Sequence, residues 1–314
     1  MKKRITVFPQ RRSNLWKQIQ NNKLLYLLLL PVILWYLIFA YLPMGGLLLS
    51  FREFRYDMGL WTSPWVGFEH FQKMFSDEDF WNAFKNTLIF SAGKLCFLFP
   101  APIILSIILN ELSNGKVRKL FQTVFTFPHF ITWVVLAGIL MNIFNSNGVI
   151  NNILSSFGLQ TISPLSDPKL FRGFIWLTAL WKELGWDSII YLATFASIDP
   201  GLYEAASIDG ANRFQKMLYI SWPGIRGTVV IMFILAVGSV MTNGASFDQV
   251  FNLYSIPVYN VADTLDTFIY RSSFEVGLNF GYTTAVGLLK SVINMVLIVA
   301  ANKIATKSGE AGLF

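Results

Sequence analysis

From Leu24 to Phe51 the chain carries no charged residue, and leucine, isoleucine, valine and aromatics fill most of the stretch. A run of about 20 apolar residues is what a helix needs to cross the hydrocarbon core of a bilayer. No water is available there to satisfy backbone N–H and C=O groups, so the segment must be helical. Comparable stretches recur at about Asn86 to Asn110, Gln122 to Phe144, Gly173 to Ala196, Gly227 to Phe247 and Tyr282 to Ala301, giving with Leu24 to Ser50 about six spans. The chain is 54% hydrophobic and 14% charged, with a mean hydropathy of +0.50. A soluble domain carries roughly 25% charge. The expected fold class is therefore an all-α polytopic membrane protein, with little chain left over for a soluble domain.

Basic residues mark one side of this array. Lys2, Lys3, Arg4, Arg11, Arg12, Lys17 and Lys23 precede the first span, and Lys116, Arg118 and Lys119 lie between the second and third. Arg213, Lys216 and Arg226 lie between the fourth and fifth, and Lys303 and Lys307 follow the sixth. With an even number of spans all four segments share a side, which the positive-inside tendency makes cytoplasmic. The opposite connections are acidic or mixed, with Asp77-Glu78-Asp79, Asp167, Asp248, Asp263 and Asp266. The expected division is a basic cytoplasmic segment over 1–23, a transmembrane domain over 24–303 and a cytoplasmic tail over 304–314.

The net charge of +7 sits in these flanks. Anionic headgroups attract such lysines and arginines, so the charge calls for lipid contact and no nucleic acid. The first span is too long for the apolar core of a signal peptide, and Tyr41-Leu42-Pro43 lacks a small-residue cleavage pattern. Cys96 stands alone, which excludes an intrachain disulfide and a cysteine-rich metal site. His129, beside Pro128, is expected to be a hydrogen-bonding residue at a helix end. No GxxxxGK[ST] phosphate loop, GxSxG elbow or HExxH pair occurs. The chain therefore shows no catalytic motif, no metal ligand set and no nucleotide site of its own.

Charges inside spans are expensive and mark protein interiors or wet cavities. The fourth span contains Trp181-Lys182-Glu183-Leu184-Gly185-Trp186-Asp187. Glu183, Asp187 and Tyr191 share one helical face at successive i, i+4 positions. Two readings stand here: a sugar path, with carboxylates for hydroxyls and Trp181 and Trp186 for ring faces, or an internal salt bridge that fixes helix packing. Lys290 and Asn294, one turn apart in the sixth span, suit structural pairing with an acid of the fourth. Lys94 is expected to reach the interface and receives no role. The fifth span closes on Thr242-Asn243-Gly244-Ala245-Ser246-Phe247-Asp248-Gln249. Such residues break a helix, and broken backbone at membrane depth must line a cavity or be buried in protein. Asn243, Phe247, Asp248 and Gln249 are accordingly candidate substrate contacts, against the plainer alternative of a capped helix end. The connection from Phe251 to Tyr282, rich in tyrosine and acid, is expected to lie outside at the substrate entrance or membrane interface.

Between the fourth and fifth spans stand Glu204-Ala205-Ala206-Ser207-Ile208-Asp209-Gly210-Ala211, with Pro223 thirteen residues after the glycine. On physical grounds this is an interfacial helix-turn-helix. It resembles the EAA loop of binding-protein-dependent ABC importer permeases. Further stretches are similar to the carbohydrate-uptake permeases of the LplB type: Asp248-Gln249-Val250-Phe251-Asn252-Leu253-Tyr254, Asp263-Thr264, Tyr270-Arg271, Thr284-Ala285-Val286-Gly287-Leu288 and the terminal Gly-Leu-Phe. The resemblance runs from about residue 20 to the end.

That resemblance implies a type I importer fold with a coupling helix in a loop at about 200–224. Glu204, Ala205 and Ala206 match the opening of its motif, Gly210 the turn, Asp209 and Ala211 the carbohydrate branch, and Pro223 the proline that closes the second short helix. It implies a second homologous permease chain, two ATPase subunits that carry ATP and Mg, and an extracellular solute-binding lipoprotein delivering an oligosaccharide across a bacterial cell membrane. The alternatives are a permease of the same family for a non-sugar solute and, from a different class, a secondary transporter or membrane enzyme.

Overall fold

A computed structural model of the protein describes residues 20, 22–112, 114–275, 277, 279–310 and 312–314, with the backbone alone at position 243. The basic segment expected over residues 1–23 lies almost wholly outside the described residues. The longer helices are α1 (Lys23–Phe51), α2 (Glu69–Ser76), α3 (Glu78–Asn110), α4 (Gly115–Thr126), α5 (Trp133–Phe144), α6 (Val149–Ser156), α7 (Pro168–Ala196), α8 (Pro200–Ile208), α9 (Arg213–Gly238), α10 (Phe247–Leu253), α11 (Leu265–Phe274) and α12 (Phe280–Lys307). Among the described residues the only bridge pairing is an isolated antiparallel one, between Arg52 and Trp65.

Among the described residues, five helical stretches are long and apolar enough to cross a membrane: Lys23–Phe51, Glu78–Asn110, Trp133–Ser156, Arg213–Gly238 and Phe280–Lys307. The fourth span of the sequence reading, α7, is 29 residues long. It misses that apolar class because it holds Lys169, Arg172, Lys182, Glu183 and Asp187. These charges are accommodated because α7 is the central helix, packed against α3, α4, α9 and the turn at Phe127–Phe130. In contrast, the first half of α1 buries nothing: Leu24 to Tyr36 are exposed along the whole length.

Three apolar clusters build the core. Phe90, Phe171, Ile175, Val250 and Leu253 form one, and Met74, Phe80, Leu265, Phe268 and Val286 a second. Ile103, Leu109, Tyr191, Phe195 and Ile225 form the third, toward the 200–224 loop. In lipid the apolar solvent supplies little drive for helix association, and close backbone packing and hydrogen bonds take over. Gly185 shows this directly, since a Cβ there would overlap the backbone of Phe125.

Three sequence expectations are corrected. The third span is not one helix: α4 ends in a 3-10 turn over Phe127–Phe130, Ile131 and Thr132 are extended, and α5 restarts with Thr132 as its cap. Pro128 supplies the cause, because it removes a backbone donor mid-span. The fifth span breaks at 244–246, within the stretch expected to break it, but also earlier, at Ser239. The connection after it is not a surface loop. Val258, Ala262, Leu265 and Phe268 are core residues, and Asp263 is buried with Arg271 at 2.5 Å and Thr267 at 2.7 Å. Burial pushes the Asp263 carboxyl above the usual carboxylate range, while its bonds to Thr267 and Arg271 oppose that shift.

Candidate functional site: a polar cavity beside the fourth span

The break in the third span leaves helix-end carbonyls without helical partners. The fourth span supplies them. Lys182, buried, donates from Nζ to the carbonyl of His129 at 2.6 Å and lies 3.3 Å from Oε1 of Glu183. Its ammonium also sits 5.6 Å from the ring centre of Trp133. Nδ1 of His129 meets Oε2 of Glu183 at 2.5 Å, and its ring stacks on Trp186 at 4.1 Å with planes 3° apart. Gly185 admits the backbone of Phe125 on the same face. The Trp-Lys-Glu-x-Gly-Trp segment is thus a clamp across the break. A buried cation and a broken backbone each offset the other's desolvation.

An adjoining face of the same helix, which shares Glu183 with the clamp, borders a cavity of about 620 Å³. Glu183, Asp187 and Tyr191 line it from α7, one above the other as their spacing predicts. Lys94 lines it from α3 and Trp133 from α5. Ser239, Gly244, Ala245, Ser246 and Gln249 line it from the broken end of the fifth span. A volume of this size falls within the roughly 300–1,000 Å³ typical of small-molecule sites. Carboxylates, an ammonium and hydroxyls over a largely apolar wall can exchange hydrogen bonds with a polyhydroxylated solute. The helix break at 239–246 therefore lines a cavity, as irregular backbone at that depth must.

Of the remaining candidates from the sequence, Gln249 alone among those described borders the cavity, and the others lie elsewhere. Trp181 is exposed away from the cavity, and Trp186 is committed to His129. Phe247 stacks on Phe251 at 5.2 Å and packs against Tyr270. Asp248 is exposed, and the side chain of Asn243 lies outside the described residues. Gln249 is buried, and its Nε2 donates to the carbonyl of Ile175 at 2.8 Å and to Oγ1 of Thr178 at 3.0 Å. Both its donors tie α10 to α7. Lys290 pairs with Asp266 of the fifth-to-sixth connection and not with the fourth span. Asn294 accepts from the Met241 N–H at 2.9 Å and donates to Thr242 at 2.8 Å, which holds the broken fifth span to the sixth. Sequence reasoning passed over Lys94, which faces the cavity instead of the interface, and Trp133. Pro128 in mid-span was the available signal for His129.

At one end of the bundle stands the 200–224 loop. Asp199 caps α8 by accepting the Gly201 N–H at 2.9 Å. Glu204 and Ala205 are exposed, as are Leu202 and Ile208, and Ala206 is partly covered. The helix stops after Ile208, with Asp209 as its C-cap, because Gly210 takes φ +79°, a conformation that suits glycine. Ala211 N–H then returns to the Ala206 carbonyl at 2.9 Å. Asn212 and Gln215 form a capping box that opens α9. Pro223 does not close a short helix. It lies inside α9, after a π-turn at Met217–Ser221 that rearranges the backbone bonding where proline has no N–H. The loop is a short exposed helix, a glycine turn, and a helix that continues straight into the fifth span.

Residues 102–307 match the family described as "Binding-protein-dependent transport system inner membrane component". Protein LplB of Bacillus subtilis (strain 168) is 41% identical over 297 residues, 94% of this chain and 92% of that protein. The polygalacturonan/rhamnogalacturonan transport system permease protein YteP of the same organism is 36% identical over 308 residues, 97% and 94% of the two chains. A chain in the crystal structure of a bacterial alginate ABC transporter in complex with alginate pentasaccharide-bound periplasmic protein superposes with a TM-score of 0.87. That chain is 38% identical, and the match covers 96% of this chain and 100% of it. With this fold, this loop and these matches, the chain belongs to the binding-protein-dependent transport system inner membrane component family and is a multi-pass transport permease subunit.

Proposed function

We propose that this chain is one of two homologous permease subunits of an ATP-driven importer for oligosaccharides or polysaccharide fragments. An extracellular solute-binding lipoprotein delivers the solute, and two ATPase subunits that bind ATP and Mg supply the energy. The N- and C-termini and the 200–224 loop face the cytoplasm, in keeping with the basic flanks. The observation that carries the reading is the pairing of an exposed α8, turned at Gly210, with a polar cavity bordered by the far end of the next span. Helix α9 runs unbroken from beside the Gly210 turn to Gly238, next to Ser239 of the cavity wall. Closure of the ATPases against Glu204, Ala205, Ala206 and Asp209 would move α9 and so the wall at Ser239 to Gln249. The bare surface of α1 suits lipid and the second permease chain. A relative whose name includes polygalacturonan and rhamnogalacturonan, and a neighbour crystallised with an alginate pentasaccharide-bound periplasmic protein, support a glycan as cargo.

The test is ligand binding by the solute-binding lipoprotein that delivers to this chain, over a panel of neutral and uronic-acid oligosaccharides together with amino acids and phosphate. Binding of a glycan is the expected result. A lipoprotein that takes only an amino acid or phosphate would replace the sugar reading with that of a non-sugar permease.

A further inference from the structure

His129 sits outside the cavity, yet it holds a residue that lines it. A carboxylate offers about four lone-pair sites over its two oxygens. On Glu183, His129 takes one site on Oε2 at 2.5 Å and Lys182 one on Oε1 at 3.3 Å, so each oxygen keeps acceptor capacity. The histidine is itself fixed from two sides, by the stack on Trp186 and by the bond from Lys182 to its carbonyl. Its place in the chain, in the 3-10 turn just before extended Ile131, exists only because the third span breaks there. Glu183, 31% exposed, lines the cavity, whereas His129, 28% exposed, meets it only through Glu183.

We propose that His129 is a positioning residue for solute in the cavity: it orients the Glu183 carboxylate so that its unused lone pairs face the passing hydroxyl groups. This rests on the reading of the cavity as the solute path. Without the imidazole, Glu183 retains only Lys182, which draws it back against the break. A hydrogen bond to a charged group contributes roughly 1.5–3 kcal/mol, so loss of that acceptor geometry should weaken solute contact about tenfold or more.

The experiment uses the complete importer, with its partner permease, ATPases and binding protein, reconstituted in vesicles. The probe is radiolabelled trigalacturonate, or maltotriose if the unaltered importer carries only neutral glycans. The readout is ATP hydrolysed per glycan carried. His129→Phe, which keeps the stack, and Glu183→Gln should each raise that ratio about tenfold, and the double variant no further. His129→Asn, whose amide can replace Nδ1 as donor, should stay within about twofold of the parent. Should the phenylalanine variant fail to assemble, His129→Gln, whose amide cannot reach the Nδ1 position, carries the same test. A parental ratio in His129→Phe overturns the proposal, as do additive effects in the double variant. So does loss of assembly in every His129 variant while Glu183→Gln assembles and carries normally. If Glu183→Gln and Asp187→Asn both transport at the parental ratio, the path reading itself falls. A changed ratio in Glu183→Gln with none in His129→Phe sinks only the positioning role.

Discussion

Arg172 donates through Nη2 to Oδ1 of Asn86 at 2.6 Å, joining α7 to α3. Asn86 is fully buried, and its Nδ2 donates to the carbonyls of Asn260 and Asp263 at 3.1 and 3.0 Å. Arg172 Nε reaches the Val261 carbonyl at 3.2 Å. Two helices thereby satisfy the backbone of a connection that would otherwise have unpaired groups in the core. Asn86→Leu strands these partners, and each buried orphan costs about 1–3 kcal/mol. The expected outcome is a clear fall in the Tm of the detergent-purified importer, with the 200–224 loop still able to retain the ATPase.

Coupling is tested at the turn. Gly210→Pro removes a positive-φ conformation, and Glu204→Lys reverses the charge on the exposed face of α8. Both should abolish uptake while the permease pair remains assembled. Uptake of labelled glycan and co-purification of the ATPase are measured on the same preparation. Normal transport by both variants would remove this loop from the coupling role.

Topology is checked with cysteines. Cys96 is exposed and is first replaced by serine. Single cysteines at the exposed positions Ser207 and Ser308 should resist an impermeant thiol reagent in intact cells, whereas those at Ser76 and Ser166 should react. Labelling of the position-207 cysteine from outside would invert the orientation.

The close approach at Gly185 makes a steric prediction. Gly185→Val forces a side chain into the backbone of Phe125. Overpacking typically costs about 1–3 kcal/mol. Backbone cannot yield as a side-chain end can, so the cost here should reach the top of that range. Loss of the assembled complex in size-exclusion chromatography is expected, and a second-site Phe125 substitution should not restore it, because the clash is with main chain.

The sequence alone determined the membrane class, the span order and the helix-turn-helix at 200–224. These depend on local quantities: the length of an apolar run, the charge of its flanks, and a turn that only glycine makes easily. It also placed Glu183, Asp187 and Tyr191 on one face, because helical period is a local property of α7. What it could not show was which charges meet. Lys94 reaches the cavity through a helix far away in sequence, and Lys290 finds Asp266 where an acid of the fourth span was expected. Gln249 and Trp186 are committed to packing partners that no spacing rule links to them. The break at His129 was visible as Pro128, but its repair by Lys182 and Glu183 was not. In lipid, an interrupted helix and a buried charge are each unfavourable alone, and only the tertiary structure brings the two together.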